Sequence, residues 1–224
     1  MITFIRGMSK LILDISLSLD GYVAGPNPSN EEPLGGGGEL LHEWAFATRY
    51  FRVLHGSAGG EDNLDSRLLE EVRGGIGAEV MGRKMYSGGT GSWDDDPNAR
   101  GWWGDNPPFH YPVFVLTHHA RDPLPMEGGT TFVFLSDGIE SAARQARAAA
   151  GDRDVAISGG AEVAQQYLRA GLVDEMHLHV VPVFLGSGRR LFDGHVANAP
   201  ARLERTRVVE SPSGVVHLSY RAAR

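Results

Sequence analysis

The chain has 224 residues, of which 42% are hydrophobic and 22% charged, as in an ordinary globular protein with one sizeable core. The 28 acidic residues outnumber the 21 basic ones, giving a net charge of -7, and no basic stripe favours nucleic acid as a partner. Cysteine is absent, which excludes disulfides, thiolate catalysis and cysteine-based zinc sites.

The amino terminus has neither a signal-peptide pattern nor a run approaching the ~20 apolar residues of a spanning helix. We therefore expect a cytoplasmic protein without a membrane partner. Met8 opens a segment typical of a natural start. The sequence thus predicts a single domain over residues 8–224 and a disordered amino-terminal extension over residues 1–7.

The first third of the chain predicts one strand, a loop and two helices. Apolar residues alternate with mostly polar ones over residues 11–20, which is typical of a strand with one buried face. Residues 26–38 are rich in Gly, Pro and Asn and predict a loop. An apolar stripe of Leu40, Trp44, Ala47, Phe51 and Leu54 predicts a helix over residues 39–55. A second helix, capped by Asn63 or Asp65, ends at Gly74.

The remainder alternates between strands and helices after a long loop over residues 87–112. Strands are predicted at 78–81, 113–117, 131–135 and 155–158, with helices after the last two. Three further strands, at 175–181, 202–210 and 215–221, close the chain. This order predicts an α/β fold with a mostly parallel central sheet flanked by helices and an antiparallel carboxy-terminal edge.

Three junctions that follow strands carry residues suited to an anionic ligand. The strand at 155–158 runs through Gly159 and Gly160 directly into a helix, whose free N–H groups and dipole could face a pyrophosphate. A tight turn that needs small residues explains these glycines equally well. Gly82, Arg83 and Lys84 could hold a phosphate at a second strand end, or form a solvated first turn. Thr117 and His118 follow a third strand, and ligands of open α/β sheets gather at such ends.

These junctions belong to a set of motifs that resembles the dihydrofolate-reductase superfamily over residues 8–222. Within it, the chain is more closely similar to the reductase domain of the bifunctional riboflavin-biosynthesis proteins. The motifs are ISLSLDGYVA at 15–24, VMGR at 80–83, VLT at 115–117, SGG at 158–160, LVDE at 172–175 and FLGSGRRLF at 184–192.

The resemblance implies NADPH as cofactor and assigns roles to matching residues. Gly82 and Arg83, with Lys84 beside them, match the turn at the 2′-phosphate, and Arg83 could distinguish NADPH from NADH. Thr117 and His118 match the segment beside the adenine ribose, and Ala24 the segment near the nicotinamide. The pyrophosphate loop and helix start are matched by Ser158, Gly159, Gly160, Ala161 and Glu162.

The substrate side is less sharply defined. Dihydrofolate reductases fix their substrate with a carboxylate on the first helix, where this chain offers Glu39 and Glu43. Glu43 lies off the apolar stripe and is our candidate catalytic residue, although a solvated helix carboxylate would look the same. Arg189 and Arg190 are possible counterparts of the basic residues that bind a ribose phosphate, or a surface pair.

The leading hypothesis is an NADPH-dependent reductase of a small heterocyclic or imine-bearing metabolite, similar to the 5-amino-6-(5-phosphoribosylamino)uracil reductase of riboflavin biosynthesis, and a homodimer. The alternatives are a reductase of a folate or other substrate, and a catalytically silent nucleotide-binding protein of the same fold. His177 and His179 point to the same face of one predicted strand, and His217 lies on the last strand, which could be its neighbour. They could bind a metal, but interface or solvent-facing roles explain them too, and we predict no metal site.

Overall fold

A computed structural model describes residues 9–29, 31–193 and 202–222, so the predicted extension over residues 1–7 lies outside the described residues. The strands are β1 Leu11–Ser18, β2 Tyr22–Ala24, β3 Ile76–Gly82, β4 Pro112–Leu116, β5 Leu124–Pro125, β6 Thr131–Leu135, β7 Asp154–Gly159, β8 Glu175–Val181, β9 Arg189–Arg190, β10 Leu203–Glu210 and β11 Val216–Ala222. The helices are α1 Glu43–Phe46, α2 Arg49–Leu54, α3 Leu64–Gly74, α4 Arg83–Ser87, α5 Ile139–Ala150 and α6 Ala161–Arg169. Two 3₁₀ turns lie at Gly38–Leu41 and Glu127–Gly129.

Nine strands form one sheet in the order β10-β11-β8-β1-β7-β3-β4-β6-β5. The six strands from β8 to β6 run parallel to their neighbours. β11 is antiparallel to both β8 and β10, and the short β5 is antiparallel to β6 at the other edge. The predicted α/β fold, with a mostly parallel sheet and an antiparallel carboxy-terminal edge, is confirmed.

The two faces of the sheet are covered differently. Helices α5 and α6 pack on one face, where Leu13, Val80 and Ile157 are fully buried with Tyr167. The other face lies under α1 to α3 and the long loop before β4. This face carries the β1 side chains that alternate with the buried apolar ones, and Asp14 and Ser16 are among them. This second face is therefore the polar one, although much of it is buried.

The helix predicted over residues 39–55 is wrong as a single element. The chain forms the turn Gly38–Leu41, then α1, then α2. The break lies at Thr48, which has an extended backbone and accepts a hydrogen bond from the N–H of Phe51 at 3.2 Å. Because Thr48 caps a new helix, the stripe loses its register, so Leu40 is 41% exposed while Leu41 is fully buried.

Helix α3 begins where the sequence offered two caps, and the structure uses Asn63. Its side-chain oxygen accepts the N–H of Ser66 at 2.9 Å. Asp65, the other candidate, is free to turn inward and is fully buried. The cap therefore also decides which carboxylate enters the interior.

A buried ion pair connects the far end of α3 to the sheet. Glu79 on β3 is fully buried and accepts hydrogen bonds from Arg73 and from the hydroxyl of Tyr111, each at 2.8 Å. Ser158 on β7 donates to its second oxygen at 2.5 Å. Burial disfavours charge on Arg73, but the carboxylate of Glu79 outweighs it and raises the arginine pKa. Glu79 is thus a charged core residue whose partners come from three segments.

We expect Arg73→Met to destabilise the protein by about 3–5 kcal/mol, because the Glu79 carboxylate would stay buried without its counter-charge. Chemical denaturation measures this free energy of unfolding. The double variant Arg73→Met/Glu79→Gln should recover more than half of the loss. Equal losses in the single and double variants would show that the charge of Glu79 does not matter.

His42 makes the stability depend on pH. Its ring stacks on Phe46, with centroids 5.9 Å apart, and burial together with the charge of His179 lowers its pKa to about 4. A histidine in the unfolded chain has a pKa of about 6.5, so between about pH 6.5 and pH 4 it is protonated in the unfolded chain but not in the folded protein. The stability contributed at higher pH is lost as pH falls from about 6.5 towards 4.

We expect His42→Gln to reduce this acid destabilisation by about 1–3 kcal/mol between roughly pH 7 and pH 4.5. Denaturant unfolding at several pH values would measure it. His55→Gln, at an exposed histidine of the same region, serves as the control and should leave the slope unchanged. Parallel slopes for wild type and His42→Gln would contradict the assignment.

Candidate functional site

The junctions predicted to bind a cofactor meet at one edge of the sheet. β7, β3 and β4 are consecutive strands, with Val80 paired to Ile157 and Gly82 paired to Leu116. Ser158, Gly82 and Thr117 therefore end neighbouring parallel strands. β1 lies on the other side of β7, so its continuation towards Ala24 leaves the sheet beside them. We call this the cofactor edge, defined by residues 82–84, 117–118 and 158–162.

The β7–α6 junction presents an open helix end. Gly160 is the residue before α6, and no side chain caps the helix. Gly159 has φ of +108°, a backbone conformation that favours glycine, and the Gly159–Gly160 peptide is cis. A Cβ added at Gly160 would meet nothing within 4 Å, so the space before the helix is open. Free N–H groups and the positive end of the helix dipole together make this a suitable anion site.

Arg83 and Lys84 follow β3 in very different surroundings. Arg83 is only 6% exposed and donates to Asp96 at 2.5 Å and to Ser87 at 3.0 Å. Its guanidinium carbon lies 3.2 Å from the ring centroid of Trp93. Lys84 is exposed and lies 3.8 Å from Glu162 at the start of α6. The guanidinium is thus held by the long loop, while the ammonium faces the open helix end.

One guanidinium nitrogen of Arg83 takes no part in these hydrogen bonds. Nη1 is buried and finds no hydrogen-bond partner among the described residues. Buried charged donors rarely lack an acceptor. Arg83 therefore has an unused donor next to the cofactor edge, which an anionic ligand could satisfy.

The end of β4 is tied to the same loop. Thr117 is buried, and its hydroxyl accepts the N–H of His119 at 3.1 Å. Trp93 donates from Nε1 to the carbonyl of His119 at 2.6 Å, whereas His118 is exposed. Trp93 therefore connects the loop to both the Arg83 turn and the β4 end.

A small second sheet brings Ala24 together with the two predicted substrate arginines. β2 pairs with β9, with Ala24 opposite Arg189 and Tyr22 opposite Arg190. Arg190 donates to the carbonyl of Asp20 at 2.7 Å and lies 4.3 Å from the ring centroid of Tyr22. Arg189 is exposed and makes no ion pair within the described ranges. Of the two guanidinium groups, that of Arg189 is the one without a partner among the described residues.

The carboxylates predicted on the first helix do not lie in the polar interior. Glu39 and Glu43 are exposed, and neither side chain bonds to another described residue. The carboxylates turned towards the sheet are instead Asp14, Asp65 and Glu79. Their signal in the sequence was an acidic residue inside an otherwise apolar strand or on the inner face of a helix.

Asp14 and Asp65 are the two ends of a hydrogen-bonded row that we call the imidazole chain: Asp14, His179, His217 and Asp65. His179 Nε2 lies 2.8 Å from Asp14 Oδ1, and His217 Nε2 lies 2.9 Å from Asp65 Oδ1. The two Nδ1 atoms face each other at 2.7 Å. His217 does lie on a neighbouring strand, since it is directly paired with His179 across β8 and β11.

Trp44 covers the imidazole chain. Its ring centroid lies 4.8 Å from that of His179 and 5.2 Å from that of His217. Its indole N–H lies 3.2 Å from the Ser16 hydroxyl and 3.0 Å from the Leu41 carbonyl. Trp44, which the sequence analysis assigned to an apolar stripe, thus packs against a polar cluster.

The charges of the residues in the imidazole chain are set by burial and by neighbouring groups. Burial opposes ionisation of Asp14, but the hydrogen bond and charge of His179, with Arg73 and His177, lower its pKa to about 2. Burial and the charge of His179 lower the pKa of His217. Asp14 is therefore ionised, and a positive charge on His217 is disfavoured.

The row continues towards the cofactor edge through Ser158. The register of β1 with β7 ends with Leu13 opposite Ile157, and Asp14 and Ser158 are the next residues along these two adjacent strands. Ser158 donates to Glu79 and is followed at once by Gly159. Polar groups therefore extend across five adjacent strands, from β11 to β3, and reach the cofactor edge.

Two other features lie outside this arrangement. A cavity of 190 Å³ opens at the opposite edge of the sheet, lined by residues that include Tyr50, Arg73, Tyr111 and Arg153. In the part of the chain that the structure describes, no cluster of three or more potential ligands could hold a metal ion. The described helices also include none long and apolar enough to cross a membrane.

Comparisons with known proteins agree with this architecture. YyaP of Bacillus subtilis strain 168, described as an uncharacterized protein, is 26% identical over 215 residues, covering 94% of each chain. A putative riboflavin biosynthesis protein of Shewanella sp. PV-4 superimposes with a TM-score of 0.60 at 20% identity, covering 96% of this chain and 99% of that one.

A diaminohydroxyphosphoribosylaminopyrimidine deaminase/5-amino-6-(5-phosphoribosylamino)uracil reductase of Thermotoga maritima superimposes with a TM-score of 0.56 at 13% identity, covering 96% of this chain but 57% of its own. At these identities the solved structures establish the fold alone. The model of the RibD C-terminal domain, however, matches residues 9–217, which is nearly the whole chain. The protein therefore belongs to the RibD C-terminal domain family.

Proposed function

We propose that the protein is an NADPH-dependent oxidoreductase that reduces a small heterocyclic or imine-bearing metabolite. The observation that carries this proposal is the convergence of three ligand-suited junctions on consecutive strand ends. The family is one of reductase domains, and the Thermotoga maritima protein is named for reducing 5-amino-6-(5-phosphoribosylamino)uracil. A chemically similar substrate is our first candidate for this chain.

The residues at the cofactor edge fit a dinucleotide. The open space before Gly160 and the uncapped start of α6, with Ala161 and Glu162, suit a pyrophosphate. The unpaired Nη1 of Arg83 and the exposed ammonium of Lys84 suit the additional phosphate of NADPH. Thr117 and His118 would lie beside the adenine ribose, and Ala24 near the nicotinamide. The bound cofactor would supply a hydride.

On the substrate side, the small sheet and the polar face offer complementary groups. Arg189 has a free guanidinium for an anionic substituent such as a phosphate. Asp14 is an ionised carboxylate on the polar face, next to Ser158. Asp14 replaces Glu43 as our candidate carboxylate at the substrate, because Glu43 points to solvent, and Arg189 stays our candidate for binding an anionic substituent.

The cofactor proposal predicts a preference for NADPH that depends on Arg83. We expect Arg83→Ala to raise the Kd for NADPH by about 10–100-fold, the effect of losing charge-assisted hydrogen bonds, while the Kd for NADH changes little. Quenching of tryptophan fluorescence measures both, since Arg83 lies on the Trp93 ring. Arg67→Gln, a surface cation on α3, is the control.

Arg83→Ala also leaves Asp96 buried without its partner, so a second variant separates binding from folding. Asp96→Asn weakens the hold on Arg83 and should tighten NADPH binding severalfold. Equal affinity for the two nucleotides in the wild type would remove the proposed phosphate contact. If neither nucleotide binds, the reductase proposal fails; if NADPH binds but no pteridine or pyrimidine is reduced, a silent nucleotide-binding protein is the better description.

We also propose that the protein is a homodimer joined through β10. This strand lies at the edge of the sheet and is exposed along almost its whole length, with Leu203 49% and Val208 44% exposed. An edge strand of eight residues presents unpaired N–H and C=O groups that readily pair with another strand. A second copy of the same strand would satisfy them.

Light scattering after size-exclusion chromatography should therefore give twice the 24.2 kDa mass of the chain. Val208→Lys should shift the mass towards one chain, because a charge on the exposed face opposes burial at an interface. Val53→Lys, at an apolar residue that is also exposed, is the matched control. A wild-type mass of one chain at micromolar concentration would contradict the proposal.

A further inference from the structure

The imidazole chain has a fixed requirement for protons. It contains three hydrogen bonds, and each needs one proton between its two heavy atoms. Two neutral imidazoles carry only two N–H protons. With both carboxylates ionised, a complete chain must therefore hold one additional proton, shared between two imidazoles and two carboxylates.

The surroundings indicate where this proton lies. His217 can donate from Nε2 to Asp65 and accept at Nδ1 as a neutral ring, in keeping with its lowered pKa. His179 then donates from both nitrogens, to Asp14 and to His217. The additional proton thus resides on His179, beside the ionised carboxylate of Asp14.

The two ends of the imidazole chain differ slightly in exposure. Asp65 and His217 have side chains 1% and 6% exposed, and the second oxygen of Asp65 has no hydrogen-bond partner among the described residues. Asp14 and His179 have side chains 10% and 9% exposed. Trp44 covers the rings, and we therefore place the exchange of protons with a ligand or water at the Asp14 end.

Other charged groups around the chain bear on its protonation. Arg73 approaches Asp14 from α3 and opposes additional positive charge, while Glu175 and Glu71 lie beyond His177. The groups facing the chain from the packed elements are Arg73 of α3, His177 of β8 and His42 before α1. Two of these, His42 and His177, have lowered pKa values and are neutral near pH 7.

We propose that His179 is the proton donor of the reduction, and that it delivers its proton through Asp14 to a substrate bound beside Ser158. This inference rests on the proposed function, which supplies the hydride. Asp14 is the ligand-facing group, and His179, His217 and Asp65 are positioning residues that keep the proton available.

The step balances for an imine-type double bond. Hydride adds to carbon and the π electrons move to nitrogen. The Nε2 proton of His179 passes to the carboxylate of Asp14, and the carboxylic acid so formed then gives a proton to nitrogen, which returns Asp14 to its ionised form. A new C–H bond and a new N–H bond result. Asp14 Oδ1 and the bare Nε2 of His179 then face each other as two acceptors at hydrogen-bond distance, which is unfavourable. A solvent proton entering at Asp14 restores the chain.

The proton count can be measured on the resting protein without nucleotide or substrate. In ¹⁵N-histidine NMR at about pH 7.5, where roughly nine-tenths of ordinary histidines are neutral, we expect three protonated nitrogens among the four of His179 and His217. Asp14→Asn keeps an acceptor oxygen but removes the charge, so the count should fall to two. Glu70→Gln, at an exposed carboxylate on α3, should keep three.

Turnover then tests delivery. His179→Gln and Asp14→Asn should lower kcat by about 10²–10⁴-fold, the usual contribution of a general acid, with the Kd for NADPH within about twofold of the wild type. The alkaline fall of the wild-type pH–rate profile should coincide with loss of the third proton by NMR, which a purely structural role would not produce. Melting temperatures establish that the variants are folded.

The outcomes are separable. Two protonated nitrogens in the wild type would overturn the stored proton, whatever the enzyme does. Three protonated nitrogens with an unchanged kcat in His179→Gln would overturn the donor role. If NADPH does not bind, the proposed function fails and the donor role falls with it.

Discussion

The contact between Asp65 and His217 is the constraint on which the site depends. A fully buried carboxylate is costly unless it is hydrogen-bonded, and this one finds its partner only on the last strand of the sheet. The bond fixes α3 over β11 and, through His179, over β8 and β1. Trp44 then packs against a fixed pair of rings, tilted by 51° to His179 and by 70° to His217. The helix layer is positioned by polar contacts as much as by apolar packing.

The same helix carries a second polar connection at its other end, where Arg73 meets Glu79. Two buried carboxylates, on β1 and β3, therefore flank the β7 strand that leads to Gly159 and Gly160. Charged groups in a protein interior are usually paired. Here Glu79 pairs with Arg73 of α3, and Asp14 pairs with His179 of β8. The polar face thus places carboxylate oxygens and their cationic partners close to a cofactor edge that carries Arg83 and Lys84. That arrangement suits a ligand with an anionic nucleotide at one end and a polar heterocycle at the other.

Much of the fold could be predicted from the sequence, because the alternation of apolar runs and glycine turns follows directly from a parallel sheet. The predicted cofactor residues also converge, since consecutive βα junctions share one edge. The helix over residues 39–55 could not be predicted correctly, because the preference of Thr48 for capping is decided by a buried tertiary position. The short strands β2 and β9 are held by the contact of Arg190 with Tyr22, which no local pattern announces.

The imidazole chain shows more clearly what could not be predicted from the sequence. The common face of His177 and His179 was visible as a period of two, but Asp65 had only the appearance of a helix cap. Its partner is 152 residues away, and nothing local indicates which of the acidic residues of α3 turns inward. Asp14 was visible as an acid within an apolar strand, yet its role depends on His179, 165 residues later.

These separations have a consequence for how the protein comes into being. The four side chains of the row lie on the first strand, the third helix, the eighth strand and the last strand, so nearly the whole chain must be synthesised before the row can close. Until β11 docks, Asp14, Asp65 and His179 are acids and a base facing an unfilled groove beside the exposed edge of β8. Without β11, His179 and Asp65 lack the imidazole of His217, which bonds to both of them in the complete sheet. The row of side chains can therefore form only when β11 has paired with β8, so that formation of the site coincides with completion of the sheet.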